Sequence, residues 1–352
     1  MTTQLIRILR LSTGVTVAVA VSYGYAWMLF FITPIITFIF LVMPVWIGGK
    51  MAVQLLLRLG FSLLVGIVIA EFFLQYPLLC IPLYGVLFFY IYYHDTPAAP
   101  PMAVLFMTLA ITMIPIMSFS GIAMAHVVAF YLLVNMGLGL VFAWLFHNLL
   151  PDSLAAYSET CTPSTKPIPP AVEEAERVRL ALVSTVVALS AVLLFFAFNL
   201  AQHALAMIYI CFMAGTPTTN ASLVVMKANA TATCIGGIAI IIAFNLLVAV
   251  PAYPFLIALV FLYSLLFTGK IYSGSASAAA FSSGFTTFLV LLGSSTGVDK
   301  LATTNFYVRI TQVLFAGIFT LAALVVIERF SRPRTWSLQK LYKKLLAGTL
   351  GK

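Results

Sequence analysis

The chain has 352 residues, of which 63% are hydrophobic and 8% charged, and its mean hydropathy is +1.12. No soluble domain of this size could hydrate such a surface, so soluble enzymes and nucleic-acid-binding proteins are excluded despite a formal net charge of +9. Apolar runs of about 20 residues recur along the chain and predict an all-α polytopic membrane protein. Their continuity is the pattern of spanning helices, whereas the strands of a membrane barrel would alternate.

Taken in order, six spans are expected at 10–27, 28–46, 51–73, 77–93, 101–119 and 122–149. The run after Arg7 and Arg10 lacks a small-residue cleavage site followed by polar sequence, and reads as a first span rather than a leader. A polar stretch from Pro151 to Arg179 holds five prolines and most of the acidic residues, as expected of a solvent-exposed connector. Six more spans are expected at 179–198, 200–216, 222–248, 254–272, 275–295 and 304–328. The pairs within 10–46 and 179–216 can each be read alternatively as one long or re-entrant hairpin. The domain plan is therefore 1–150 and 179–329 as two six-helix membrane units, 151–178 as linker and 330–352 as a basic tail, with no large soluble domain.

Charge sets the orientation. Arg329, Arg332, Arg334, Lys340, Lys343, Lys344 and Lys352 follow the last apolar run, and Lys50 and Lys270 sit at even-numbered turns. Positive residues flank spans on the cytoplasmic side, so both termini are expected there. The four cysteines form no CxxC and no metal-ligand spacing, and no cofactor is expected. No phosphate-binding loop, HExxH or nucleophile elbow is present, and the chain is not expected to be an enzyme.

Two segments match across the linker. The sequence at Arg10 resembles that at Arg179, an offset of 169, and Arg58 and Lys227 are separated by the same 169 residues. Each cation follows a Gly/Pro turn (Pro44, Gly48 and Gly49; Gly215 and Pro217) and precedes glycine about two turns later, Gly66 in one half and Gly236 in the other. About 12 spans as two parallel six-helix repeats are expected, with a pathway between them along a pseudo-twofold axis.

Candidate functional residues follow from depth and charge. Arg58, Lys227 and Arg309 are cations inside apolar runs, and intramembrane charge carries a default reading of function: here, binding a carboxylate between the halves. The competing reading is that they snorkel to lipid headgroups. Glu71, His94 and Asp95 are the candidates for proton coupling, each also explicable as interfacial. His126 reads as a lone histidine near a span end, and Asn135 as an interhelical hydrogen-bonding group.

The plan of six spans, polar linker and six spans resembles the fusaric-acid-resistance and aromatic-acid-exporter superfamily. Arg10, Pro44, Gly49, Arg58, Gly60 and Gly66, then Arg179, Pro217, Lys227 and Gly236, carry the likeness. It is closest to a compact, membrane-only bacterial branch, because the large cytoplasmic domains of longer members are missing. The resemblance implies export of small, often aromatic, organic anions across the bacterial inner membrane, with a membrane-fusion-type adaptor as partner. Ion-gradient drive and a homo-oligomer fit that expectation; no nucleic acid partner does. A gated anion channel and a non-transporting assembly subunit are the rival readings.

Overall fold

A computed structural model describes residues 3–94, 101–151, 174–198, 200, 219–275 and 277–295, with scattered positions between 206 and 214 and between 308 and 326. Among these residues there are ten α-helices and no strand: α1 Thr3–Tyr25, α2 Ile32–Val42, α3 Gly49–Val68, α4 Pro77–His94, α5 Pro101–Ser118, α6 Ile122–Leu149, α7 Glu174–Ala197, α8 Thr219–Ala249, α9 Tyr253–Ile271 and α10 Ala278–Ser295. A π-turn, Ile69–Phe73, continues α3. Among the described residues, six helices are long and apolar enough to cross a membrane, and four shorter ones are apolar as well.

The helices are apolar on most of their circumference, and the surface shows it. Leu57, Phe61 and Leu64 on α3, Phe130 and Val141 on α6, and Leu262 and Leu266 on α9 are all exposed. Large aliphatic and aromatic side chains spread over every outer face suit lipid rather than water.

The span expected at 28–46 takes a different form. The chain turns back over residues 26–31, and α2 has only 11 residues. At 1.5 Å per residue it rises roughly 16 Å, against about 30 Å of hydrocarbon, so α2 cannot cross alone. Thr33 meets Asn135, Thr37 meets the Gly139 carbonyl and the Met43 carbonyl meets His147, so α2 runs parallel to the second half of α6. The α1–α2 hairpin thus turns beside the midpoint of α6. Its tip includes Ala26 and Leu29 with φ of 47° and 59°, a left-handed conformation that non-glycine residues adopt only when their surroundings enforce it. The other segment read as a hairpin, 200–216, lies largely outside the described residues.

Two apolar cores hold the molecule together, and neither belongs to one half of the sequence. One joins Leu11, Val15 and Val19 of α1, Phe38 and Leu41 of α2, and Leu140 and Ala143 of α6 to Leu259 and Phe267 of α9 and Phe285 and Phe288 of α10. The other joins Tyr84 and Phe88 of α4 to Val187, Ala191 and Phe195 of α7, with Met207, Ile210 and Ala316. The antiparallel pair α1–α9 is tied at both ends, by Gln4 Nε2 donating to the Tyr272 carbonyl (2.5 Å) and by the Tyr253 hydroxyl donating to that of Ala20. In the antiparallel pair α4–α7, Arg177 donates Nε and Nη2 to the Tyr93 carbonyl at 3.0 and 2.8 Å, with its guanidinium over the Tyr93 ring.

Close helix contact is made through glycine. A Cβ on Gly66 of α3 would stand 2.8 Å from the Ala110 carbonyl oxygen of α5, and one on Gly236 of α8 would run into the Gly284 carbonyl oxygen of α10. Gly60 has room, its nearest neighbour being Leu133 at 3.7 Å. Gly66→Ala is expected to destabilise the protein by roughly 1–3 kcal/mol through overpacking. Gly60→Ala should be neutral or stabilising by up to about 1 kcal/mol, since alanine is the better helix former. Thermal denaturation of both variants in the same detergent checks the contrast.

Candidate functional site at the π-turn

At the end of α3 the Leu74 amide donates to the Ile69 carbonyl at 2.9 Å, the i→i+5 bond of a π-turn. The extra residue re-aims the side chains that follow, and such turns are frequent at functional sites. Ile69 and Ala70 stay buried, while Glu71 turns toward the start of α6. That helix begins after Gly121, whose φ of 125° only glycine adopts comfortably, and His126 stands one turn in.

Glu71 Oε1 lies 3.0 Å from His126 Nε2, with side-chain exposures of 34% and 47%. The other ring nitrogen of His126, Nδ1, is 3.0 Å from the Ile122 carbonyl oxygen. A carbonyl can only accept, so Nδ1 carries a hydrogen, and the Nε2···Oε1 contact needs one more proton between base and acid. The pair is therefore either imidazolium with carboxylate or neutral imidazole with carboxylic acid. Glu71 also lines an open pocket of about 590 Å³ with Ala70, Leu74, Gln75, Ser118, Phe119 and Ile122. What this arrangement can do chemically is hold, share and release a proton at the edge of a pocket.

A second polar centre sits at the hairpin tip. Asn135 is fully buried and uses all its hydrogen-bonding positions: Oδ1 accepts from Trp27 Nε1 (2.9 Å) and Thr33 Oγ1 (2.6 Å), and Nδ2 donates to the carbonyls of Tyr131 (2.6 Å) and Met28 (3.4 Å). It fixes non-helical backbone to the middle of α6. Near the other end of α6, Arg10 is 1% exposed and donates Nη1 to the Leu150 carbonyl at 3.4 Å. A cation at a helix C-terminus meets the negative end of its dipole, which gives Arg10 a structural role as a cap.

The residues singled out from sequence are dispersed. Arg58 lies on the exposed face of α3 beside Leu57 and Phe61, nine residues and roughly 13 Å beyond Gly49. No side-chain partner for it is seen among the described residues. His94 is exposed at the end of α4, its ring 4.5 Å from that of Tyr90. Glu71 is at the opposite end of the bundle from His94. The side chain of Lys227, and Arg309 and Asp95 altogether, lie outside the described residues, as do the linker and the basic tail. Sequence reasoning missed the partnership of His126 with Glu71. The signal was there in the expected topology: Glu71 ends one expected span and His126 opens another, at the same end of the bundle.

Residues 7–147 match the model of a protein family of unknown function, DUF2955. The match runs from just before Arg10 to His147 and so takes in the π-turn, the Glu71–His126 pair and Asn135. No curated protein and no solved structure matches the chain.

Asn135 provides a test of the tip. Asn135→Ala is expected to cost on the order of 1–3 kcal/mol for each buried group left unpaired. Asn135→Asp should also destabilise, because a carboxylate cannot donate to the carbonyls of Tyr131 and Met28. Thermal melts together with Trp27 emission, which should move to the red in both variants, measure this.

Proposed function

We propose that the protein is an inner-membrane efflux transporter of small organic anions, aromatic carboxylates foremost, driven by a proton gradient. One observation carries the proton part of the reading: an acid–imidazole pair on a π-turn beside an open pocket, in a chain with few charges of any kind. The substrate class rests on the resemblance drawn from Arg10, Arg58 and the glycine pattern. A membrane-fusion-type adaptor as partner and cytoplasmic termini belong to the same proposal.

Two parallel six-helix repeats are part of this reading, and three features support them. Gly66 and Gly236, which correspond within one residue at the offset of 169, each bring a helix against the carbonyl of a neighbour, α5 in one case and α10 in the other. Helix α1 pairs with α9, while α4 pairs with α7, the exchange expected if the first helix of each repeat packs on the fourth of the other. Each pair is tied by a donor near the start of one helix to a carbonyl at the end of its mate, Gln4 to Tyr272 and Arg177 to Tyr93. The proton pair has no such twin. The position 169 residues beyond Glu71 is Ile240, which is apolar and buried, so the pair is not repeated there.

The exposure of Arg58 changes the role expected of it. On an outward face its guanidinium serves lipid headgroups more readily than a substrate between the halves. Uptake of labelled benzoate into proteoliposomes, with and without an imposed pH gradient, tests the proposal. Gradient-dependent flux that is lost in Glu71→Gln and retained in Arg58→Ala is the expected result. Flux indifferent to the gradient would replace the transporter with a gated anion channel. Absence of flux for a panel of aromatic carboxylates would remove the substrate assignment.

A further inference from the structure

The Glu71–His126 pair joins two elements that otherwise meet lightly at that end of the molecule. Glu71 belongs to the π-turn, the least regular backbone of the α3 segment, and His126 to the first turns of α6, where Gly121, Ile122 and Met124 are exposed. The pocket opens between them and the end of α5, lined by Ser118 and Phe119. Below this level α3 and α6 are packed in the ordinary way, with Leu56 against Gly137 and Leu133 against Gly60. The pair is thus the polar link at the top of an otherwise apolar helix contact.

We propose that this link is a one-proton latch whose protonation state decides whether the outer ends of α3 and α6 are held together. The inference deepens the transporter reading by naming the coupling site and the moving part, and its mechanics do not depend on the substrate. With one proton shared between Nε2 and Oε1, the pair is bonded as imidazolium–carboxylate or as imidazole–carboxylic acid, and the pocket wall is closed on that side. A second proton, taken by Glu71, turns the carboxylate into an acid facing an imidazolium. The acid's carbonyl oxygen can still accept from Nε2–H, but the attraction between opposite charges is gone and the contact weakens. Removal of the shared proton, with Nδ1–H kept on the Ile122 carbonyl, leaves a carboxylate facing a ring nitrogen lone pair, which breaks it. The latch is therefore tightest at one proton, weakened at two and open at none.

Few other groups bear on this titration. Of the elements packed against the π-turn, α3 and α5 present no acidic, basic or histidine side chain to it, and α6 presents only His126. From α4, Cys80 and Tyr84 are buried in the second core, where the Tyr84 hydroxyl donates to the Ile111 carbonyl. Tyr76, in the turn before α4, is exposed. Gln75 and Ser118 are neutral, so the charge of the pocket is set by Glu71 and its partner.

The experiment measures a distance and needs no substrate. Spin labels are placed at Phe72→Cys and Met124→Cys, both exposed and flanking the latch, in a background in which the native cysteines at 80, 161, 211 and 234 are alanine. Pulsed dipolar spectroscopy on the reconstituted full chain then follows the distance distribution from acid to alkaline pH. The expected result is one short, narrow distance in a middle range of pH that lengthens and broadens on both sides of it. Glu71→Gln should abolish the acid-side shift, and His126→Ala should give the long, broad distribution at every pH. Exchanging the two residues, Glu71→His with His126→Glu, should restore the closed state and its two-sided pH dependence. A distance in the unmodified pair that ignores pH, or a Glu71→Gln variant that responds on the acid side as the parent does, overturns the latch. Gradient-driven flux could persist in that case, so failure of the latch and failure of the transporter reading are told apart.

Discussion

Every backbone amide and carbonyl in an apolar bundle has to find its partner inside the protein, because lipid offers none. That constraint explains why the described chain is helical almost throughout, and it explains the departures more sharply. Where the chain leaves helix at 26–31, the side chain of Asn135 accepts and donates to four groups so that the tip of the hairpin can lie against α6. Where α3 loosens into the π-turn, the bonding shifts by one residue rather than breaking, with Leu74 closing on Ile69. Where α6 ends, Arg10 supplies a donor to Leu150. The polar residues of this chain are few, and most of those placed by the structure answer for backbone.

Helix existence was legible because long apolar runs between Gly, Pro and charged turns admit little else. The starts and ends of α3, α6 and α9 fall within a few residues of the expected spans. The short α2 was not legible as a half-depth return, since hydropathy reports what a segment can dissolve in and not how far it travels. Only the hairpin alternative kept that geometry open. The facing of side chains was less accessible still. Helix α6 is apolar all round and has little pattern to reveal which side meets its neighbours, whereas on α3 the stripe of Lys50, Gln54 and Arg58 marks an outward face that a reading by depth alone passes over. The same gap hid His126, whose partner is 55 positions away along the chain and adjacent only once α3 and α6 lie antiparallel.

The two sets of titratable and cationic groups do different work by virtue of where they sit. Arg10 and Arg177 are bound to carbonyls at helix ends and contribute to how the bundle is tied. Glu71 and His126 are half-exposed, joined to each other by a single contact, and lie on irregular or terminal backbone. Arg10 resists change because losing its partner leaves a buried charge, and Arg177 because it makes two bonds to one carbonyl. Groups of the second kind sit clear of the core beneath them, as the proposed coupling site requires.

The interleaving of the halves also governs how the protein is made. Helix α1 packs on α9, which starts about 230 residues later in the chain, and α4 waits in the same way for α7. At roughly 5–20 residues per second on the ribosome, α1 spends some 10–45 s in the bilayer before its mate is synthesised. During that interval its buried Ser12, Thr16 and Ser22 face lipid or a temporary companion. Newly inserted chains therefore pass through a long-lived, half-built state that membrane chaperones and proteases can recognise, and any truncation before α9 leaves the nascent protein there permanently.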